Sequence, residues 1–454
     1  MSFDAMIEAA TAAFKQNLDA FCQTTPVTRL TPEAAETVAA GLTQALGAAG
    51  VVGYRAFLEA FETPAPVVEV DGQRFRFKHV SPKEFLTPFG PMVLARRLYQ
   101  NASDTVSHVP LDAAWGMEGH YMAPAVREAV LYACAHLTPE ETAAVLGKCG
   151  LCHPQPTAIK HALEHVGAAL REHKEALDAR LRTAERAPQE TVTLAGSLDG
   201  TTVLLNEPGV KRGRRPRETR EAPEAKASST SWRNAVVGTV SFYAAREAPD
   251  KPAPRLQTRY VARMPEEDSP TVKAHFEAEL AAAQLQAGPR VDKVLILDGA
   301  VALWHYVEHA PAFDGYAKIV DYWHAAEHLA GAADAVFGKG TPEARAWYER
   351  YATALLERDD GARRVQRSIR YYMTCGRLSK AAREAVADEL RYFSRNGPRM
   401  RYAEFRRRGW PIGSGPVEAA CKSVVKARLC RSGMRWSRAG GQRILDLRTY
   451  VKSQ

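Results

Sequence analysis

The chain of 454 residues has no run of 18 or more apolar residues, which excludes a hydrophobic helix long enough to span a bilayer. Its first residues, Met-Ser-Phe-Asp-Ala-Met-Ile-Glu, lack a basic segment followed by an apolar one, so a cytoplasmic protein without a signal peptide is expected. Cysteine is scarce. Seven thiols (22, 134, 149, 152, 375, 421, 430) in a reducing compartment predict no disulfides. Acidic residues are scarce in one place only. From Asn396 to Gln454 there are 14 Lys and Arg against 3 Asp and Glu, a net of +11. The other 395 residues hold 47 basic and 49 acidic groups, a net of −2, so the chain's whole positive excess lies at that end. A one-sided basic stretch is the footprint of phosphate-backbone binding. A merely solubilising tail is the alternative, and Trp410, Ile412, Leu429, Trp436, Ile444 and Leu445, which favour burial, argue against it. The apolar share of 46% and charged share of 25% are those of a globular protein, and the length suggests two or three domains.

Pattern divides the chain into six stretches. Residues 1–65 are Ala-rich with helical spacing (Ala5, Ile7, Ala12, Phe14, Leu18) until Pro64 and Pro66. Residues 66–135 form a small mixed α/β region, with strands predicted at Val67-Val-Glu-Val, Arg74-Phe-Arg-Phe and Met92-Val-Leu and helix over 110–135. Residues 136–188 read as a helix-turn-helix. Thr138-Pro139-Glu140-Glu141 supplies a cap, a first-turn proline and first-turn acids. Cys149–Pro156 is the turn, and the second helix opens with Lys160 and His161 placed to enter a major groove. Helix pairs of this shape also occur in proteins that never touch DNA.

Residues 189–324 then give three strands (191–205, 235–243, 257–264), a helix (270–287), a fourth strand (291–297), a helix (300–309) and a fifth strand (316–321). That order is the one an RNase H-like α/β core uses. Residues 325–395 read as a helical insertion, and 396–454 as the basic end of the core. Between the first two strands, Lys211-Arg-Gly-Arg-Arg-Pro-Arg217 reads as a loop. Arg212, Arg214 and Arg215 could lie in an A·T minor groove, or the loop could be plainly solvated.

Three carboxylates carry the chemistry. Asp199 follows Thr193-Leu-Ala-Gly-Ser-Leu, Asp298 closes Val294-Leu-Ile-Leu, and Glu418 opens a helix after Trp410-Pro-Ile-Gly-Ser-Gly-Pro-Val. Open α/β sheets bind ligands at the carboxyl ends of their strands. Acids gathered there can hold two Mg²⁺ or Mn²⁺ ions for phosphoryl transfer. Each Asp-Gly could instead be a turn. That reading serves Asp199, but Asp298 is followed by a helix and Glu418 has no such explanation.

His324-Ala-Ala-Glu327-His328 matches the H-x-x-E-H pattern of a zinc metalloprotease, although no third ligand stands out and the basic end has no use there. Asp321 with His324 reads alternatively as a D-x-x-H element supporting the acidic site. Cys149-Gly-Leu-Cys152-His153 has haem-attachment spacing in the wrong compartment, and structural thiols are the preferred reading. Trp436 could stack on an unpaired base or anchor the last helices.

The block Trp410-Pro-Ile-Gly-Ser-Gly-Pro-Val-Glu418-Ala-Ala-Cys-Lys422, with Val425-Lys426-Ala-Arg428-Leu and Ser432-Gly-Met-Arg-Trp436-Ser, resembles the signature of bacterial insertion-sequence transposases of the ISKra type. Ser197-Leu-Asp199-Gly200 and Ile296-Leu-Asp298-Gly299 look like that family's other acidic motifs. Asp321-Tyr-Trp-His324-Ala-Ala-Glu-His328 looks like the segment before its helical insertion. The likeness runs from about residue 85 to the end. It implies an RNase H-like core, an Asp199/Asp298/Glu418 metal site and cutting and joining of double-stranded DNA at element ends and targets. With it come a bacterial, nucleoid-associated setting and a homodimer or larger assembly. Lys422, Lys426, Arg428, Arg431, Arg435 and Arg438 would hold phosphates. A captured, transposase-derived DNA-binding regulator without cleavage is the alternative. One departure is visible. Relatives carry a Cys pair after an Arg-Tyr segment, whereas Arg97-Leu-Tyr99-Gln-Asn-Ala-Ser-Asp104 has none, which leaves a zinc ribbon there without ligands.

Overall fold

The computed structural model describes residues 3–103, 105–150, 152–206, 232–248, 251–375 and 378–453, so Arg212, Arg214 and Arg215 lie outside the described residues. The chain divides after Glu172 into two compact units. Among the described residues no helix is long and apolar enough to cross a membrane.

The first unit opens with helices α1 (Asp4–Thr24) and α2 (Pro32–Glu59). Thr31 caps α2 by accepting from Ala34 N, with Pro32 at the first helical position, where a missing N–H costs nothing. An antiparallel sheet follows in the order β1 (Val67–Val70), β2 (Gln73–Thr87), β3 (Gly90–Gln100), β4 (Ser107–His108). Asp71 and Gly72, both at positive φ, make the two-residue turn that matches strand twist between β1 and β2. Leu58, Phe85, Met92, Leu94, Leu111 and Met117 form the core there. Helices α3 (Pro110–Trp115), α4 (Pro124–His136) and α5 (Pro139–Lys148) come next. The cap read at Thr138 is a full capping box: Thr138 Oγ1 accepts from Glu141 N, and Glu141 accepts from Thr138 N. Helix α6 (Pro156–Ala184) begins in this unit.

The second unit is built on a mixed five-stranded sheet, ordered β7 (Arg255–Arg263), β6 (Trp232–Tyr243), β5 (Thr193–Leu204), β8 (Asp292–Leu297), β9 (Ala317–Val320). β5, β6 and β7 form an antiparallel meander, while β8 and β9 run parallel to β5. The parallel strands need crossovers, supplied by α7 (Pro270–Ala287) and α8 (Val301–His309). Val294, Leu295, Ile296 and Leu297 are all buried, as expected of a parallel strand covered on both faces. Phe276 of α7 is fully buried, worth up to about 3 kcal/mol. Gly196 and Gly238 make room for it, since a Cβ on either would come within 3.0 Å of its ring.

Four helices follow: α9 (Tyr322–Phe337), α10 (Pro342–Glu357), α11 (Gly361–Cys375) and α12 (Lys380–Asn396). They bury Leu329, Trp347, Val365, Ile369 and Phe393 against one another and the sheet core. After α13 (Tyr402–Arg407) the chain forms a helix in three parts: α14 (Gly415–Ala420), a π-helical turn (Cys421–Lys426) and α15 (Ala427–Leu429). The last helix, α16 (Arg438–Ser453), completes a second core of Val203, Val237, Val417, Val424, Leu429 and Leu445. Sequence predicts that Glu418 opens a helix, and the structure interrupts the helix there with a π turn. Insertion of a π turn frees carbonyls from the regular ladder, and such turns gather at functional sites. Here Arg448 of α16 takes them up, Nε donating to Val424 O at 2.6 Å and Nη2 to Ser423 O.

Candidate functional site

The ladder of the second unit sets the site. Gly196 of β5 pairs with Leu295 of β8, and three residues further along each strand stand Asp199 and Asp298. Leu297 of β8 pairs with Val320 of β9, and the next residue on each is Asp298 and Asp321. Three aspartates therefore occupy one level across three neighbouring strands, two of them at carboxyl ends where α/β sheets take ligands.

Asp298 is half-buried. Its Oδ1 accepts from Ala300 N at 2.9 Å, and its carbonyl accepts from Trp304 Nε1 at 2.6 Å. Burial pushes its carboxyl above the ordinary range; the charges of Asp199 and Asp321 add to this, while Ala300 N–H and His324 oppose it. Gly299 beside it cannot be larger, because a Cβ would lie 2.2 Å from the Tyr392 ring of α12.

Asp321 is fully buried and caps α9, accepting from Trp323 N at 2.5 Å, His324 N at 3.0 Å and Ser414 N. Burial works to raise its carboxyl, but hydrogen bonds from His324 and Ser414 outweigh it and hold the group below the ordinary range. His324 Nδ1 stands 3.5 Å from Asp321 Oδ1 without an aligned acceptor, so the contact is an ion pair. The Asp321 carboxylate is the main reason the imidazole is pushed up to about 9; burial opposes, and Asp298 and Glu327 reinforce. Sequence made Asp321 and His324 supporting residues, and the ladder puts Asp321 level with the other two aspartates.

Glu418 reaches this level from the other side. Tyr322 N donates to Ile412 O at 2.9 Å and Ser414 N donates to Asp321, which ties the turn before α14 to the end of β9. Ser414 Oγ then donates to Glu418 Oε1 at 3.0 Å. One turn on, Cys421 Sγ donates to Asp199 Oδ2 at 3.5 Å. Burial first, and then Asp199, pushes this thiol up to about 12. The helix that presents Glu418 is thus fastened to Asp321 before that residue and to Asp199 after it.

Oxygen donors in this number suit a hard divalent cation. Among the described residues, the metal-ligating atoms that lie within 4.8 Å of one another are those of Asp321, His324 and Glu418. Asp199 and Asp298 are not in that group. The neighbouring cleft is lined by Asp199 and Asp298, with Arg233, Asn234, Glu266 and Arg438 around them.

The two histidines of H-x-x-E-H have separate surroundings. His328 Nδ1 is 2.7 Å from Glu389 Oε2, and its ring stacks on Tyr392 at 3.5 Å between centroids. The two imidazoles of H-x-x-E-H therefore serve different carboxylates. Cys152 is buried and Cys149 exposed, and neither belongs to a metal-ligating group among the described residues.

The basic segment divides in two. Lys422, Lys426, Arg431, Arg435 and Arg438 are exposed. Arg428 is a correction. It is 2% exposed, with its guanidinium 5.2 Å over the Trp436 ring, so it is an internal anchor rather than a phosphate contact. Trp436 is an anchor too: its backbone bridges Leu205 and its Nε1 donates to Leu429 O at 2.9 Å. In the first unit, Lys160 pairs with Glu140 at 2.8 Å across the helix pair, and His161 faces solvent at 83% side-chain exposure.

Reading by motif missed Ser414, Cys421, Arg233 and Arg448. Cys421 had a signal, three residues after Glu418 and so on the same helix face. Arg233 and Arg448 had none, since their roles follow from strand pairing and from the π turn.

No protein-family model and no curated protein matches the sequence. Among solved structures the chain is similar to the Drosophila P element transposase strand transfer complex, at 10% sequence identity over 72% of this chain and 78% of that one. The TM-score is 0.26, and at that level the likeness carries no argument.

Proposed function

We propose that the chain is a DNA transposase of the DDE class with an RNase H-like core, resembling the ISKra type. The observation that carries this reading is the level shared by Asp199, Asp298 and Asp321, onto which the Glu418 helix is fastened through Ser414 and Cys421. The strand order supports it, with three antiparallel strands followed by two parallel to the first.

In this reading Asp199, Asp298 and Glu418 would hold two Mg²⁺ or Mn²⁺ ions, with Asp321 fixing the turn that places Glu418. Such a pair would supply activation of the attacking oxygen and stabilisation of the leaving one. Water breaks one phosphodiester at the element end and frees a 3′-hydroxyl. That hydroxyl then attacks a target phosphodiester, one P–O bond forming as another breaks. Lys422, Lys426, Arg431 and Arg435 hold phosphates beside the cut, and a homodimer or larger assembly pairs two ends. Helices α5 and α6 supply a helix-turn-helix for double-stranded DNA.

The test is incubation of purified protein with labelled DNA carrying candidate terminal repeats and Mg²⁺ or Mn²⁺. Wild type is compared with Asp298→Asn and Glu418→Gln. The reading predicts cleavage by wild type and binding without cleavage by both variants. Loss of an outer-shell partner of a metal ligand alone costs 10- to 100-fold, so the variants should fall by more than about 10²-fold. Binding without cleavage in all three proteins would make the chain a transposase-derived DNA-binding regulator instead.

A further inference from the structure

Helix α11 differs from its neighbours in how its charge is disposed. Over Gly361–Cys375 it carries Arg363, Arg364, Arg367 and Arg370 and no acid. Its inner face, Ala362, Val365 and Ile369, is buried. On α10 and α12 one exposed arginine each is matched along its own helix, Arg345 with Glu349 at 2.8 Å and Arg391 with Asp388 at 2.9 Å, and both helices carry acids of their own. Just before α11 one carboxylate, Asp360, serves three guanidiniums: Arg364 at 2.8 Å, and Arg358 and Arg367 at 3.8 Å. Arg363 and Arg370 are exposed and have no ion-pair partner among the described residues. A solvated helix face ordinarily intersperses both signs.

The same helix walls an open groove with α10. Arg350 and Tyr351 stand on one side, Arg364, Arg367 and Tyr371 on the other, with Arg358 and one acid, Glu357, at its end. Tyr371 is 59% exposed, a large ring left in solvent beside cations. Arg363, Arg367 and Arg370 fall at i, i+4 and i+7, one face of the helix, spanning roughly 10 Å along its axis. A duplex presents a phosphate every 3.4 Å or so along each strand. A face of this length therefore meets about three phosphates of one strand.

We propose that the outer face of α11 and its groove with α10 form a second double-stranded DNA-binding surface, separate in sequence from the basic C-terminal segment. The choice of DNA as the polyanion rests on the function proposed above; the row of arginines on a helix without acids does not. The arginines bind backbone phosphates and so hold DNA in place without reading sequence.

The test uses the full-length protein and a 30-base-pair duplex of mixed sequence, with affinity followed by fluorescence anisotropy from low to moderate salt. Wild type is compared with the triple variant Arg363→Ala/Arg367→Ala/Arg370→Ala, whose side chains are exposed, and with Lys422→Ala/Lys426→Ala/Arg431→Ala. Each lost phosphate contact lowers the slope of log affinity against log salt by about 0.9, so loss of three flattens it by roughly 2.7. The inference predicts that flattening in the α11 variant with unchanged circular dichroism. It also predicts a fall in affinity for Tyr371→Ala. An α11 variant with the wild-type slope overturns the inference, and if the C-terminal variant alone loses affinity the proposed function still stands. Flattening in the α11 variant with none in the C-terminal variant upholds the inference and removes the phosphate role given to that segment. Loss of binding to phosphatidylserine vesicles but not to duplex would make the face a membrane contact and overturn the inference.

Discussion

Asp298 and Glu418 stand at the same end of one sheet and are held there in different ways. Asp298 is placed by the ladder itself: it follows a fully buried strand, and its level is fixed by the pairing of β8 with β5 and β9. Glu418 is borne on a helix that belongs to no strand. Its place depends on a chain of polar contacts, Asp321 to Ser414 to Glu418, then Cys421 to Asp199. A ladder position is over-determined by many backbone bonds, whereas a helix held by a few hydrogen bonds can be displaced by losing one of them. The strand-borne half of the site should therefore resist single substitutions that the helix-borne half does not.

The largest effect should come from the residue that joins the halves. Asp321→Ala removes the acceptor of three N–H groups and the cap of α9. Unpaired buried N–H groups cost about 1–3 kcal/mol each and a cap about 1, which do not simply add, so a loss of roughly 3–5 kcal/mol is expected in urea unfolding. A loss below about 1 kcal/mol would show that the Glu418 turn does not depend on Asp321. Gly299→Ala probes the strand side. Its methyl would meet a Tyr392 ring already stacked on His328, costing about 1–3 kcal/mol as overpacking does. Gly415→Ala, with nothing within 4 Å, should change stability by less than about 0.5 kcal/mol in the same assay.

The smallest effects are in pH, and two histidines give opposite signs. His324, raised to about 9 by Asp321, adds stability that is full below its ordinary value of 6.5 and lost as pH rises through about 9. His120 in the first unit is pushed down to about 4 by burial, then Arg127 and His165. Its contribution is present above 6.5 and lost as pH falls through about 4. In metal-free protein, His324→Ala should flatten unfolding temperature against pH on the alkaline side and His120→Ala on the acid side. Partial exposure of His324 screens its share. Unchanged profiles in both variants would contradict the fields inferred around these rings.

The same contrast explains what could be read from the sequence. Strands announce themselves by apolar runs and helices by their own period, so β1, α7 and the run ending at Asp298 were legible almost to the residue. Thr138 was legible as a cap because its partners are local. The level of Asp321 with Asp199 and Asp298 was not, because it follows from pairing between strands far apart in sequence. The net of +11 at the C-terminal end was legible as a sum, but not its division. Arg448 is spent on carbonyls freed by a π turn and Arg428 on an indole ring, and neither use leaves a local pattern.

The central claim is that the acids at these strand ends form one divalent-cation site. Its most direct test is the unfolding temperature of wild type and Asp298→Asn, each with and without Mn²⁺. The account predicts that Mn²⁺ raises the wild-type midpoint, as any ligand of the folded state must, through a stabilisation of about 2.7 kcal/mol at a hundredfold excess over its dissociation constant. It predicts that Asp298→Asn raises the metal-free midpoint, by removing a carboxylate that burial and its neighbours disfavour, and that most of the Mn²⁺ response disappears. Equal Mn²⁺ shifts in the two proteins, or none in wild type, would contradict it.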